Sequence, residues 1–196
     1  MFNKLLSTMM TILLASSAHS QTYTEITQRG WGQGMAGSNP VIVDLDQDGR
    51  LDLIVGEEAG NLNHYQQDPA GSPAFTLVTR FFSEINGFEV SAPCFADIDR
   101  DGLLDLIVGA HSEGLRHFEQ SESDPMSFTV RSDRFYNGID IGSYLMPAIT
   151  DLDHNGLFDL LIGIISGELY HYEQYAADSD SFVFISNSFC GIEVTD

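Results

Sequence analysis

Three nine-residue stretches of this 196-residue chain carry acidic side chains at alternating positions. They read Asp44-Leu45-Asp46-Gln47-Asp48-Gly49-Arg50-Leu51-Asp52, then Asp97-Ile98-Asp99-Arg100-Asp101-Gly102-Leu103-Leu104-Asp105, then Asp151-Leu152-Asp153-His154-Asn155-Gly156-Leu157-Phe158-Asp159. Oxygen ligands at positions one, three and five of a tight turn fall on one side of it. There they can converge on a hard cation such as Ca²⁺, which takes six to eight oxygens. Glycine at position six permits a sharp bend with φ > 0. Position seven (Arg50, Leu103, Leu157) would offer only its backbone carbonyl, which explains why its side chain varies. Position nine is Asp in every copy (Asp52, Asp105, Asp159) and is expected to close the shell.

Competing readings of the loop fare worse. An EF-hand needs a bidentate Glu at position twelve and flanking helices. Position twelve is Val55, Val108 or Ile162, and the flanks Pro-Val-Ile-Val-Asp and Asp-Leu-Ile-Val-Gly are short, β-branched and strand-like. Mg²⁺ prefers few carboxylates and retained waters. Zn²⁺ wants Cys or His, and the loops supply only His154. A solvated acidic turn explains one copy but not three in phase.

The loop starts lie 53 and 54 residues apart, and the period reaches well beyond the acidic residues. Pro40, Pro93 and Pro147 each stand four residues before a loop, and Gly56, Gly109 and Gly163 each end the apolar run that follows. Next come Leu62-Asn63-His64-Tyr65, Leu115-Arg116-His117-Phe118 and Tyr170-His171-Tyr172, then segments starting at Phe75, Phe128 and Phe182. Each unit predicts four short strands; in the second they fall near Pro93 to Ile98, Leu104 to Val108, Leu115 to Glu119 and Phe128 to Arg131. A crossing segment such as Asn137-Gly138-Ile139-Asp140-Ile141 follows. Helical periodicity is absent after the first twenty residues. Four strands in a unit of this length match a β-propeller blade.

These residues resemble the FG-GAP/VCBS repeat family, which includes the propeller blades of integrin alpha chains. The resemblance rests on Pro-x-x-x-Asp-x-Asp-x-Asp/Asn-Gly-x-x-Asp-Leu followed by Ile/Leu-Val/Ile-Gly, seen three times. It implies Ca²⁺ at Asp44, Asp46, Asp48 and Asp52 and at their counterparts, a propeller of about seven blades, and often surface adhesion. It implies no single ligand. The expected fold is therefore all-β: three four-stranded blades within a larger propeller, with repeats at about 40–92, 93–146 and 147–196.

The termini add to this picture. Residues 1–20 read as a secretory signal: Lys4, an apolar core from Leu5 to Ala15, and Ala18-His19-Ser20 before the cleavage point. The core is too short for a membrane span. Tyr23-Thr24-Glu25-Ile26 aligns with Phe75, Phe128 and Phe182, so it predicts a stray outer strand of the kind that closes a propeller. Cys190-Gly191-Ile192-Glu193-Val194 repeats the lead-in to a further blade. We therefore expect the chain to be the N-terminal part of a longer protein, with an arc that closes by self-association as the rival. Exposed terminal blade faces would favour such self-association.

The formal charge of −21 becomes −22 once Lys4 is removed with the signal, leaving no lysine. That acidity argues against nucleic acid as a partner. Export permits a disulfide, but Cys94 and Cys190 sit about two repeats apart and are expected to stay free. His64, His117 and His171 occupy one equivalent place per repeat, so they are expected to be structural rather than to converge on a site. Gly32-x-Gly34-x-x-Gly37 matches a dinucleotide fingerprint only in its letters, because a strand and not a helix follows. Trp31 beside it is expected to be a packed aromatic. No nucleophile, acid–base pair or open metal site stands out.

The leading functional expectation is an exported, Ca²⁺-stabilised propeller, secreted, on the cell surface or in the periplasm, that binds extracellular protein or carbohydrate and is not itself an enzyme. The alternative is the propeller portion of a secreted enzyme, for example a polysaccharide-degrading one, whose catalytic part lies outside this chain. Asn155 removes one charge from the third loop, so that loop should bind Ca²⁺ most weakly of the three. Titration of each loop with the other two disabled checks this, and equal or tighter binding at the third would overturn it.

Overall fold

The computed structural model describes residues 38–86, 89–112, 114–132 and 136–189. The first unit contains β1 (Asn39–Val43), β2 (Asp52–Gly56), β3 (Leu62–Gln67) and β4 (Phe75–Thr79). The second contains β5 (Ala92–Ala96), β6 (Asp105–Gly109), β7 (Leu115–Ser121) and β8 (Asp124–Ser132). The third contains β9 (Met146–Thr150), β10 (Asp159–Gly163), β11 (Leu169–Gln174) and β12 (Phe182–Ser186). Each unit is a four-stranded antiparallel sheet with its strands in chain order. These are propeller blades, as the repeat predicted. The strand β8 begins earlier than expected, at Asp124, because Ser121 pairs across the hairpin with that residue.

The register is the same in every blade. Pro40 lies opposite Val55, Pro93 opposite Val108, and Pro147 opposite Ile162. Proline has no N–H for a ladder and is confined to sheet edges, and β1, β5 and β9 are edge strands. A bulge recurs where β3, β7 and β11 meet the outer strand, between His64 and Tyr65, His117 and Phe118, and His171 and Tyr172. A bulge re-aims the side chain beside it, and in each blade that side chain is the repeated histidine.

Burial explains why the second strand of each blade is apolar without alternation. Every residue of β6 is buried. Leu106 and Val108 join a cluster with Ile54, Leu62 and Phe82 of the first blade, whereas Ile107 joins one with Leu160 and Ile162 of the third. A strand covered on both faces reads as a continuous hydrophobic run. The inner strand β5 correspondingly contacts both β1 and β9.

The seams between blades require glycine at one point each. A Cβ on Gly56 would lie 2.1 Å from the Ser91 carbonyl oxygen, and one on Gly109 would lie 2.0 Å from that of Leu145. Beside these glycines the backbones of adjacent blades pair: Ser91 N–H donates to Glu57 O and Leu145 N–H to Ala110 O, both at 3.1 Å. At Gly163 a Cβ would meet nothing within 4 Å.

Several expectations fall outside the described residues: the signal segment, the strand at Tyr23 to Ile26, Trp31, the glycines at 32, 34 and 37, and Cys190. Cys94 is a free, buried thiol, and burial pushes its pKa up to about 12. No helix among the described residues is long and apolar enough to cross a membrane.

The seam can be tested by adding one methyl group. Gly109→Ala should destabilise this chain by about 1–3 kcal/mol or more, as overpacking does. Gly163→Ala should stay within roughly 0.5 kcal/mol of the parent. Urea unfolding measures both, and equal losses would show that the close approach at the seam is not what the glycine serves.

Candidate metal centres

Each acidic loop joins the first two strands of its blade and is built from side chains that hold their own backbone. The position-one carboxylate accepts the glycine N–H at position six: Asp44 from Gly49 at 3.1 Å, Asp97 from Gly102 at 3.2 Å, Asp151 from Gly156 at 3.1 Å. Position three accepts the N–H of position five at 3.1–3.3 Å. Position five, through Asp48, Asp101 or the Asn155 amide oxygen, accepts that of position seven (Arg50, Leu103, Leu157) at 2.7–2.8 Å. The glycines sit at φ of 83°, 91° and 88°, as the turn demanded. Position four also lies in the left-handed region, at Gln47, Arg100 and His154. Sequence reading missed this, because none of these is a glycine and their identities differ.

The convergence is observed in each loop. Oxygens of Asp44, Asp46 and Asp48 come within 4.8 Å of one another, as do those of Asp97, Asp99 and Asp101, and those of Asp151, Asp153 and Asp159. The most informative atoms are the remaining Oδ1 oxygens of Asp44, Asp97 and Asp151. All three are buried and accept no hydrogen bond. A buried carboxylate oxygen without a donor is costly, and its recurrence at one loop position marks a place for a cation. All-oxygen donor sets of this kind suit Ca²⁺.

The position-nine carboxylates have a second task. Asp52, Asp105 and Asp159 are only 0%, 3% and 4% exposed. Through Oδ2 they accept the N–H of loop position two, from Leu45 at 3.0 Å, Ile98 at 2.7 Å and Leu152 at 2.8 Å. Through Oδ1 they accept from the Nε2 of His64 at 2.6 Å, His117 at 2.5 Å and His171 at 2.6 Å. An aromatic from the crossing segment covers each imidazole: Phe82, Tyr136 and Phe189, with ring centroids 5.5, 4.6 and 5.0 Å away. The histidines thus serve their own blades, and sequence reading missed their partner. The signal was present, since Asp and His stand twelve residues apart in all three copies.

A glutamine at the end of β3, β7 and β11 was also missed, although Gln67, Gln120 and Gln174 share the repeat spacing. Its Oε1 accepts the N–H of loop position eight, from Leu51 at 3.2 Å and from Leu104 and Phe158 at 3.1 Å. The loops differ in their cationic neighbours. Arg50 donates to Asp48 through both backbone and side chain and holds that carboxyl below its usual range. Asp99 is pushed the other way, by burial and then by the charges of Asp101, Asp105 and Glu119. Arg100 reaches out of the second loop to the Gly156 carbonyl of the third, with its guanidinium 5.9 Å above the Phe158 ring.

The repeated loop, strand order and glycine seam find a counterpart among known families. A family model described as FG-GAP-like repeat matches residues 44–108. That stretch is therefore similar to an FG-GAP-like repeat. It is similar to integrin alpha-3 of Cricetulus griseus, at 27% identity over 150 residues, and equally to integrin alpha-3 of Mus musculus. The match covers 68% of this chain and 14% of each integrin chain, so the chain spans about a seventh of the length of these relatives. No solved structure matches it.

The double role of position nine gives a test that needs no cation. In excess chelator, Asp105→Ala should cost about 3–5 kcal/mol, because it strips the acceptor from two buried donors. Asp101→Ala, at the exposed rim, should cost roughly 1 kcal/mol or less. Denaturant unfolding of both variants measures this, and comparable losses would sink the reading.

Proposed function

We propose that this chain is an exported FG-GAP propeller module that binds extracellular protein or carbohydrate and is stabilised by Ca²⁺ in the loops between the first two strands of its blades. The observation that carries the cation is the buried, unpartnered Oδ1 of Asp44, Asp97 and Asp151. The similarity to integrin alpha-3 chains supports the adhesion-type role, and the signal-like residues 1–20 support export.

In this reading Asp44, Asp46 and Asp48, with Asp97, Asp99 and Asp101, and with Asp151, Asp153, Asn155 and Asp159, supply side-chain oxygens. Arg50, Leu103 and Leu157 supply backbone carbonyls, and Asp52 and Asp105, like Asp159, close the shell from position nine. Bound Ca²⁺ contributes charge neutralisation and oxygen coordination, a structural rather than chemical service. The residues themselves pin the loop backbone so that the oxygens stay gathered. Without a cation the gathered carboxylates repel one another, and in a chain of net charge −21 little basic charge offsets this.

Thermal melting in Ca²⁺ and in chelator tests the proposal. At free Ca²⁺ ten times the dissociation constant, each filled loop should stabilise by about 1.4 kcal/mol, giving a clear rise in Tm. The triple variant Asp46→Asn, Asp99→Asn, Asp153→Asn should lose that rise. Identical melting of the parent in Ca²⁺ and chelator would remove the calcium claim. Ca²⁺-dependent retention of the chain on glycan arrays or immobilised matrix proteins tests the binding role separately.

A further inference from the structure

The repeated glutamine does more than brace its own loop. Gln120 Nε2 donates one hydrogen to Pro125 O at 2.9 Å and the other to Leu45 O at 2.8 Å, in the preceding blade. Gln174 Nε2 likewise donates to Ser179 O at 2.6 Å and to Ile98 O at 2.7 Å in the preceding blade. With Oε1 on the position-eight N–H of its own loop, each amide uses its acceptor and both donor hydrogens. Both side chains are buried.

The residue they grip sits between two candidate ligands. Leu45 separates Asp44 from Asp46, and Ile98 separates Asp97 from Asp99. The N–H of each is held by the position-nine carboxylate of its own blade and the carbonyl by the glutamine of the next. The backbone that aims positions one and three is therefore fixed only when the following blade is seated. Gln120 touches loops one and two, and Gln174 touches loops two and three.

We propose that Gln120 and Gln174 are positioning residues that couple cation binding in adjacent blades, so that ordering one loop raises the affinity of its neighbour and tightens the seam between them. The proposal rests on the calcium reading above. The coupling works through neutral amides, so it is separable from long-range charge effects.

The amide resonances of Gly49, Gly102 and Gly156 give one nuclear magnetic resonance reporter per loop during a Ca²⁺ titration of the whole chain. Gln120→Met should raise the midpoints at Gly49 and Gly102 most, with a smaller rise at Gly156 passed on from the weakened second loop through Gln174. Gln174→Met should raise those at Gly102 and Gly156 most, with a smaller rise at Gly49 passed on through Gln120. The expected shift is about two- to tenfold, the value of a single hydrogen bond. Equal shifts at all three glycines would mean general loosening and would overturn the coupling, as would no shift at any. If no glycine in the parent responds to Ca²⁺, the calcium reading itself fails and the coupling falls with it. Should the methionine variants not fold, Asp101→Asn at the exposed rim serves instead, in about 0.5 M KCl, where charges are screened beyond roughly 4 Å. Weakening loop two in this way should raise the midpoints at both Gly49 and Gly156, and unmoved midpoints would overturn the proposal.

Discussion

The structure depends on the carboxylate at loop position nine. It is buried, and a buried carboxylate is tolerable only when strong donors satisfy it. The two that do so come from opposite directions: a loop N–H from Leu45, Ile98 or Leu152, and an imidazole on the neighbouring strand. The loop therefore cannot open without stranding a charge, and the third strand cannot slip without withdrawing its histidine. The bulge beside each histidine is the local irregularity that lets the imidazole reach. Hydrophobic burial then seals the arrangement, with Phe82 and Tyr136 placed over their imidazoles and themselves buried between blades.

Stacking turns this unit into a chain of nearest neighbours. The second blade presents one face to the first and the other to the third, as β6 does. Such arrays derive stability from units and seams in comparable measure. Here the seams are specific rather than merely greasy. Gly56 and Gly109 admit a neighbouring carbonyl, paired backbones lie beside them, and near the loops a glutamine crosses to the preceding blade. Hydrophobic area sets how strongly blades adhere, and the polar contacts set the one offset at which they do so.

Much of this was legible from residue types at a fixed period. The acidic loop, the Pro and Gly that frame it, and the four strands per repeat each follow from local rules: convergent oxygens, a missing N–H, a required close approach. What stayed hidden were pairings across strands and blades. The repeated twelve-residue Asp–His spacing was visible but did not by itself pair Asp52 with His64, nor did the letters show that Gln120 reaches Leu45, because those contacts depend on a bulge and on how one sheet is rotated against the next. The left-handed backbone at Gln47, Arg100 and His154 was equally silent, since surrounding hydrogen bonds impose it at a position where no single residue type is demanded.

The remaining tension lies in the loops themselves. The backbone N–H groups of positions five, six and seven are returned to side-chain oxygens at positions three, one and five, those of positions two and eight to position nine and the glutamine, yet Oδ1 of position one is left buried and without a donor three times over. A fold that satisfies its other loop atoms so fully has no local reason to strand the same oxygen in each copy. The loss is of the order of a kcal/mol or more per atom, and no donor among the described residues recovers it. A cation recovers it at every loop through one set of oxygens. The three loops still differ in their surroundings: Arg50 already engages Asp48 in the first, Asn155 lowers the charge of the third, and in the second burial and neighbouring carboxylates push Asp99 up. Repetition fixes the geometry of the sites, and single substitutions around them set their order of filling.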